Sequence, residues 1–322
     1  MTDLCSLLFE LSSQDRLNIL RQVEDEPMVV TKISKKLDLA VQETSRHLSR
    51  LRKIGLAERD HEGFNRISRY GSLVLKLLPA LEFSHRYSDY LSTHDIDRIP
   101  HSFLQRLGDL NGSELPDDIA IGFHNVDRLL VESEEYIHSM TDQYLVSHSP
   151  LVTEALERGV LMKNIDDPFS LPPQDIPEEW SNPSFRKALS QGRADGSLQE
   201  RFLEKFEVYL YMSEKSVAVV GFPKLDGKFD YLGFSSRDER MHDWCSDLFD
   251  HYWEVSRPRD EMIEEYREWV SKTRGAGEAL KLYGQGRGRE VNSRISSKLG
   301  DKGVTRGDKL TFMGLVLYRG MT

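Results

Sequence analysis

Residues 37–56 read Leu-Asp-Leu-Ala-Val-Gln-Glu-Thr-Ser-Arg-His-Leu-Ser-Arg-Leu-Arg-Lys-Ile-Gly-Leu. Thr44, Leu48 and Leu51 recur at helical spacing and mark the inward side of a helix over residues 41–54. Gly55 stands where a helix end takes a left-handed residue. The remaining face carries Gln42, Glu43, Ser45, Arg46, Ser49 and Lys53, which are short, polar or forked side chains. An Arg pairs bidentately with guanine in the major groove and a Gln with adenine, so this face has the chemistry to read base edges. A surface helix in an unrelated bundle would also be polar there. The flanking segments decide between the two.

Upstream, Leu4, Leu7, Leu8 and Leu11 form one apolar stripe, and Ser13 fits an N-cap ahead of Leu17, Ile19, Leu20 and Val23. Pro27 breaks the chain. Thr31 is expected to cap a short helix holding Ile33 and Leu37, and Asp38-Leu39-Ala40 is then a tight turn. Downstream, residues 56–60 and 65–68 read as two strands joined through His61-Glu62-Gly63. Two helices, a tight turn and a hairpin make a winged helix-turn-helix over residues 1–72. Its expected DNA-contacting set is Thr31, Lys32, Gln42, Glu43, Ser45, Arg46, Ser49, Arg50, Lys53 and Arg66.

The stretch from Ser45 to Leu56 resembles the arsenic-repressor-like winged-helix group. There, Ser-Arg-His-Leu-x-x-Leu-x-x-x-Gly-Leu closes the recognition helix and opens the wing, and every one of those positions matches without a gap. The resemblance implies binding to double-stranded DNA. The thiolate ligands that some members carry near the preceding helix have no counterpart in residues 29–36, so no metal site is expected there.

Charge is unevenly spread. The net charge is −10, yet residues 1–70 carry net +1, with net +5 over 31–70, and residues 271–322 carry net +7, which leaves residues 71–270 at net −18. An acidic body between basic ends suits contact of those ends, not the body, with a polyanion. With 39% apolar and 30% charged residues and no run of about 18 apolar ones, the chain reads as folded and not membrane-spanning. Two distant cysteines, Cys5 and Cys245, support neither a disulfide scaffold nor a thiolate zinc site, and a cytoplasmic setting is the expectation.

Residues 73–108 read as a helical connector, kinked or divided in two by Pro79. Helices after a wing commonly pair subunits, which makes a homodimer the expected partner state; packing on the chain's own body fits as well. Residues 109–257 read as a mixed α/β domain: a short strand at Ile119-Ala120-Ile121, a helix over 127–139, and a strand at Tyr144-Leu145-Val146. A helix over 151–158 ending at Gly159, and a strand over 160–163, complete that unit. A proline-rich loop spans 166–184, and strands follow over 206–212, 217–222 and 229–234, the last two joined by Asp226-Gly227. Met241, Trp244, Cys245, Leu248, Phe249 and Tyr252 lie on one stripe of a closing helix. A C-terminal helix and a glycine-rich basic tail occupy 258–322. The fold class expected is α+β.

His94-Asp95-Ile96 through Leu110, the 215–233 hairpin and the 243–252 helix resemble the middle domain of archaeal methanogenesis-regulatory proteins, which also place an arsenic-repressor-like winged helix in front. That resemblance implies a one-component transcription regulator with a phospholipase-D-like sensory domain. Phospholipase-D chemistry needs His-x-Lys, and no histidine here is followed two places on by lysine. Gly-x-Ser-x-Gly, His-Glu-x-x-His and the phosphate loop are also missing, so no catalytic residue, metal or cofactor is expected. Tyr209 and Tyr211, on the less apolar side of the 206–212 strand, are candidate effector contacts together with His148 and Ser149. The same tyrosines equally suit a helix contact or solvent. An interaction adaptor that uses the winged helix to bind protein is the alternative from another class.

Overall fold

Helix caps and one left-handed residue shape the head. In the computed structural model, which describes residues 3–142, 146–166, 183–203 and 207–261, the chain divides into two units at Arg86/Tyr87. That division lies inside the expected connector. Helix α1 (Leu4–Leu11) starts at Asp3, whose carboxylate accepts the Ser6 N–H, and α2 (Gln14–Asp25) starts at the expected cap Ser13. Helix α3 (Val30–Leu37) starts before Thr31, so Thr31 is not its cap. The reason is a reciprocal backbone pair between Met28 and Asn65, at 2.9 and 2.7 Å, which keeps the chain extended up to Val29. Asp38 then takes a left-handed φ of 53°, the Leu39 N–H bonds back to the Ser34 carbonyl at 2.9 Å, and α4 (Val41–Lys53) follows. Strands β1 (Ala57–Arg59) and β2 (Asn65–Ile67) pair antiparallel as the wing. Ile19, Leu20, Val23, Met28, Ile33, Leu48, Leu51 and Leu56 are buried together as the core of the head.

Helix α5 (Arg69–Arg86) is one helix with Pro79 inside it, so of the expected kinked or two-part connector the division in two is not found at Pro79. An interior proline removes one helical hydrogen bond and crowds the carbonyl four residues back, so contacts on either side must hold the helix. Here Val74 and Leu75 anchor the preceding turns in the head core, and the Ser84 hydroxyl adds a bond to the Ala80 carbonyl beyond it.

The second unit opens with the short helices α6 (Ser88–Leu91) and α7 (His101–Leu104) and continues as α8 (Ile119–Glu132), β3 (Tyr136–Thr141), α9 (Ser149–Glu157), β4 (Leu161–Asp166), α10 (Pro183–Asp195) and β5 (Leu198–Phe202). Then come β6 (Tyr209–Ser213), β7 (Ser216–Gly221), β8 (Phe234–Ser236), α11 (Glu239–Val255) and β9 (Arg257–Pro258). The sheet order is β8-β7-β6-β3-β4-β5-β9; β3, β4 and β5 are parallel and every other pairing is antiparallel. Ile137, Met162 and Leu198 stand level across β3, β4 and β5 and pack with Val126, Leu129, Ala155, Leu156 and Ala188 from α8, α9 and α10. Neighbouring strand residues point to opposite faces. His138 accordingly stacks on Phe249 of α11, with ring centroids 4.3 Å apart. Both faces of the sheet are therefore covered by helices.

Three expectations for this unit are corrected. Ile119-Ala120-Ile121 is the first turn of α8, because the Asp118 carboxylate accepts the Ala120 N–H at 2.9 Å and caps a helix there. The helix expected over 127–139 stops at Glu132, and Tyr136–Thr141 is a strand. The Glu214 carboxylate takes the N–H groups of Glu134 and Tyr136, at 2.8 and 3.1 Å, and turns the chain into the sheet. Of the strand expected over 229–234, only Phe234 pairs. Tyr231 has a left-handed φ of 61° and the Asp230 carboxylate accepts the Leu232 N–H, which breaks the ladder. The Asp226-Gly227 turn is present, with Gly227 at φ 84°. Val146 opens a 3-10 turn, while Tyr144 and Leu145, most of the proline-rich loop, Phe206 and everything beyond 261 lie outside the described residues.

Candidate nucleic-acid interface

Helix α4 is bedded along one side. Leu48 and Leu51 are fully buried, and buried Thr44 returns its hydroxyl to the Ala40 carbonyl at 3.1 Å. Gly55, at φ 82°, closes the helix, and the Leu56 N–H bonds to the Leu51 carbonyl at 2.9 Å. A second clamp ties the helix end to the wing: Arg52 donates to the Asn65 side chain at 2.8 Å, and Asn65 donates to the Met28 carbonyl. That bedding leaves Gln42, Ser45, Arg46, Ser49 and Lys53 exposed. Among the described residues, none of those five side chains makes an intramolecular hydrogen bond or ion pair. Thr31 is exposed on α3. Lys32 pairs with Glu26 at 2.7 Å and Arg66 with its cross-strand neighbour Glu58 at 3.5 Å. Exposed pairs of this kind contribute about 0–1 kcal/mol and exchange readily for a phosphate.

Arg50 is placed differently from the other members of the expected set. Its guanidinium grips the Glu10 carboxylate of α1 with Nε and a terminal nitrogen, at 2.9 and 2.8 Å. Arg16 reaches the same nearly buried carboxylate at 3.0 Å and also donates to the Glu10 and Phe9 carbonyls. Both guanidinium groups lie over the Phe9 ring. The Arg50 hydrogen bonds hold the Glu10 carboxyl below its usual range against the opposing effect of burial. Arg50 thus fastens α1 to α4. Glu10 carried no signal in the sequence, since it sits among the leucines of an apolar stripe. Glu43 faces His47 at 3.8 Å, and Asp15 of α2 lies 3.9 Å from the same ring nitrogen. Asp15, Glu43 and His47 are the group of metal-ligating composition among the described residues, with ligand atoms within 4.8 Å of one another.

In the second unit, the candidate effector residues gather near the carboxyl ends of β3 and β4. Tyr209 is 3% exposed and belongs to the core beneath α8 and α9, with Tyr211 packed against it. Burial raises the ionisation of both phenols well above the ordinary tyrosine range. The buried His148 ring faces Asp127 at 3.1 Å, and burial lowers its pKa while that carboxylate opposes the shift. Ser149 is buried and starts α9. Phe229, Tyr231 and Asp142 join this group and were not singled out by periodicity. They lie in segments without a regular repeat.

Residues 13–59 match the family model described as bacterial regulatory protein, arsR family. No curated protein matches the chain in sequence. Among solved structures, one similar chain is TrmBL2, described as an archaeal chromatin protein with a novel mode of DNA binding. It is 15% identical over 80% of this chain and 100% of that one, with a TM-score of 0.35. Another is an O-methyltransferase family protein from Burkholderia thailandensis, 13% identical over 63% of this chain and 60% of that one, with a TM-score of 0.24. Likenesses at that level carry no argument about activity. The family match and the geometry coincide on the same helices: the head of this chain carries an ArsR-type helix-turn-helix.

Proposed function

We propose that this chain is a one-component transcription regulator of the archaeal type, acting in the cytoplasm without catalysis. Its winged helix reads duplex DNA as a two-fold dimer, and its α/β unit binds a small effector. The observation that carries the reading is the unpartnered row Gln42, Ser45, Arg46, Ser49 and Lys53 on a helix whose other side is fully bedded. Side chains that serve the fold of a head this small are paired, as Arg16, Arg50 and Arg52 are. Side chains held out and unpaired on a rigid helix are available to an outside partner. Phosphate contacts from Thr31, Lys32, Lys53 and Arg66 would position the head, while Gln42 and Arg46 read bases.

The dimer rests on α5. Tyr70, Leu73, Leu77 and Leu81 are spaced 3, 4 and 4 residues apart and are between 46% and 64% exposed, a continuous apolar stripe on one helix face. Leu4 and Leu8 are likewise exposed on α1. A second copy of the same stripe is self-complementary under two-fold symmetry. The operator is then an inverted repeat with half-sites about 10 bp, or a multiple, apart. Selection of bound duplexes from a random pool, at several salt concentrations, tests the reading. Salt-sensitive and sequence-preferring binding is expected; enrichment of no sequence at any salt favours the protein-interaction adaptor instead.

A further inference from the structure

Ligands of open α/β sheets gather at the carboxyl ends of parallel strands. In this unit that edge is formed by Thr141 and Asp166, which stand level at the ends of β3 and β4, with Asp142 one residue beyond. Several aromatic rings converge there. Tyr209 meets Tyr231 edge-on at 5.2 Å and Tyr211 at 5.7 Å; Phe229 lies 6.3 Å from Tyr231 and 6.4 Å from Tyr209. Tyr209 is buried, and Tyr211, Phe229 and Tyr231 are partly buried against the same core. Tyr231 is held in a left-handed backbone conformation, rare for a bulky side chain, with its hydroxyl donating to Asp142 Oδ1 at 3.0 Å.

Asp142 is what gives this edge a preference. It is half-buried, burial raises its pKa, and among the described residues no cation pairs with it. Two other sheltered carboxylates of this unit have cations: Glu200 has Arg193 and Arg259, and Asp230 has His94 and Lys224. A sheltered carboxylate is stabilised in its charged form by a counter-charge, and the faces of tyrosine rings attract cations. With Asp166 level with Thr141 and Asp142 just beyond, the edge carries two carboxylates beside phenols and repels an anion. We propose that this edge binds an organic ammonium ion, with its alkyl groups against Phe229 and Tyr231, which Tyr209 and Tyr211 back from the core, and its charge beside Asp142. The assignment rests on the effector reading above and names the class of that ligand.

Calorimetric titration of the full chain with choline and tetramethylammonium tests it, set against 3,3-dimethylbutan-1-ol, which has the shape of choline without the charge. Expected is binding of at least one ammonium probe, with the alcohol weaker by about tenfold or more. Asp142→Asn should cut ammonium affinity by about as much at an unchanged melting temperature, and Tyr231→Phe, which keeps the ring, by less. If the alcohol binds as well as choline and Phe229→Ala abolishes both at an unchanged melting temperature, the ammonium class is overturned and the effector reading stands. If neither ammonium probe binds while a neutral or anionic metabolite raises the melting temperature, the class again falls alone. If nothing in a metabolite library binds, both fall together.

Discussion

Helix α4 and strand β6 each carry a row of polar or amphipathic side chains, and the protein disposes of them in opposite ways. On α4, one side sinks into the head core and the other stays bare, so Gln42, Ser45, Arg46, Ser49 and Lys53 pair with nothing among the described residues. On β6, helices cover both faces of the sheet, and Tyr209 is drawn inward as fully as Leu210 and Met212. A polar row on a half-bedded helix is an outward-facing surface. The same row on a central strand becomes lining. The contrast recurs within α4 itself, where Arg46 is bare and Arg50, four residues on, is locked to Glu10.

The contrast breaks most severely if α4 acts from a single copy. With Leu77→Asp, which places a charge in the middle of the α5 stripe, the chain should sediment as a monomer. Operator affinity should fall by about 10²–10⁴-fold, because two linked half-sites are reduced to one. A dimeric mass at unchanged affinity would remove α5 from the interface.

The body side of the contrast is sharpened by acid. His138 lies between β3 and α11; burial, then Lys163 and His242, bring its pKa down to about 4. Between pH 6.5 and about 4 the unfolded chain therefore holds a proton that the folded chain does not. Stability from this group is complete above pH 6.5 and declines as the pH falls towards 4, by no more than about 3 kcal/mol. Melting curves across that range should show the decline, and His138→Phe, which keeps a ring against Phe249, should flatten it. Parallel curves for the two proteins would show that His138 does not govern the acid limb.

How much of this was legible from the sequence follows from the same contrast. The head was readable because every device in it is local. Ser13 caps α2, Gly55 ends α4, and Thr44, Leu48 and Leu51 repeat at the helical period. The exception was Thr31, overruled by a backbone pair formed with Asn65, 37 residues away from Met28. The body was less legible because its decisive contacts are distant. Glu214 starts β3 from 78 residues further along, and Asp230 breaks the 229–234 strand while bonding His94 from 136 residues away. Alternation along β6 shows which residues share a side and is silent on whether either side meets water. Asp142, a lone acidic residue after a strand, carries no pattern at all.

Within α4 the two arginines should separate cleanly. Arg46→Ala should leave the melting temperature unchanged and cost about 1–3 kcal/mol of operator affinity, with preference lost at the base it reads. Arg50→Ala, which strips a bidentate partner from a sheltered carboxylate, should lower the melting temperature of the head and leave base preference intact. Competition binding against duplexes mutated one position at a time, alongside thermal melts, reads both effects. Equal operator affinity for Arg46→Ala and the parent would take Arg46 out of the reading set.

The smallest effect belongs to Lys53, at the last turn of α4. Its ammonium is exposed with no partner among the described residues, and basic residues Arg50, Arg52 and Lys53 crowd the helix end. A lysine donates as a point charge and lacks the planar fork that distinguishes one base edge from another. Contact with a phosphate therefore adds affinity equally to every sequence and releases one counterion. Lys53→Ala should weaken specific and random duplexes by the same factor and reduce the slope of log affinity against log salt by about 0.9. A changed base preference would mean that Lys53 reaches into the groove. An unchanged slope would place it away from the duplex, and the bare face of α4 would then end at Ser49.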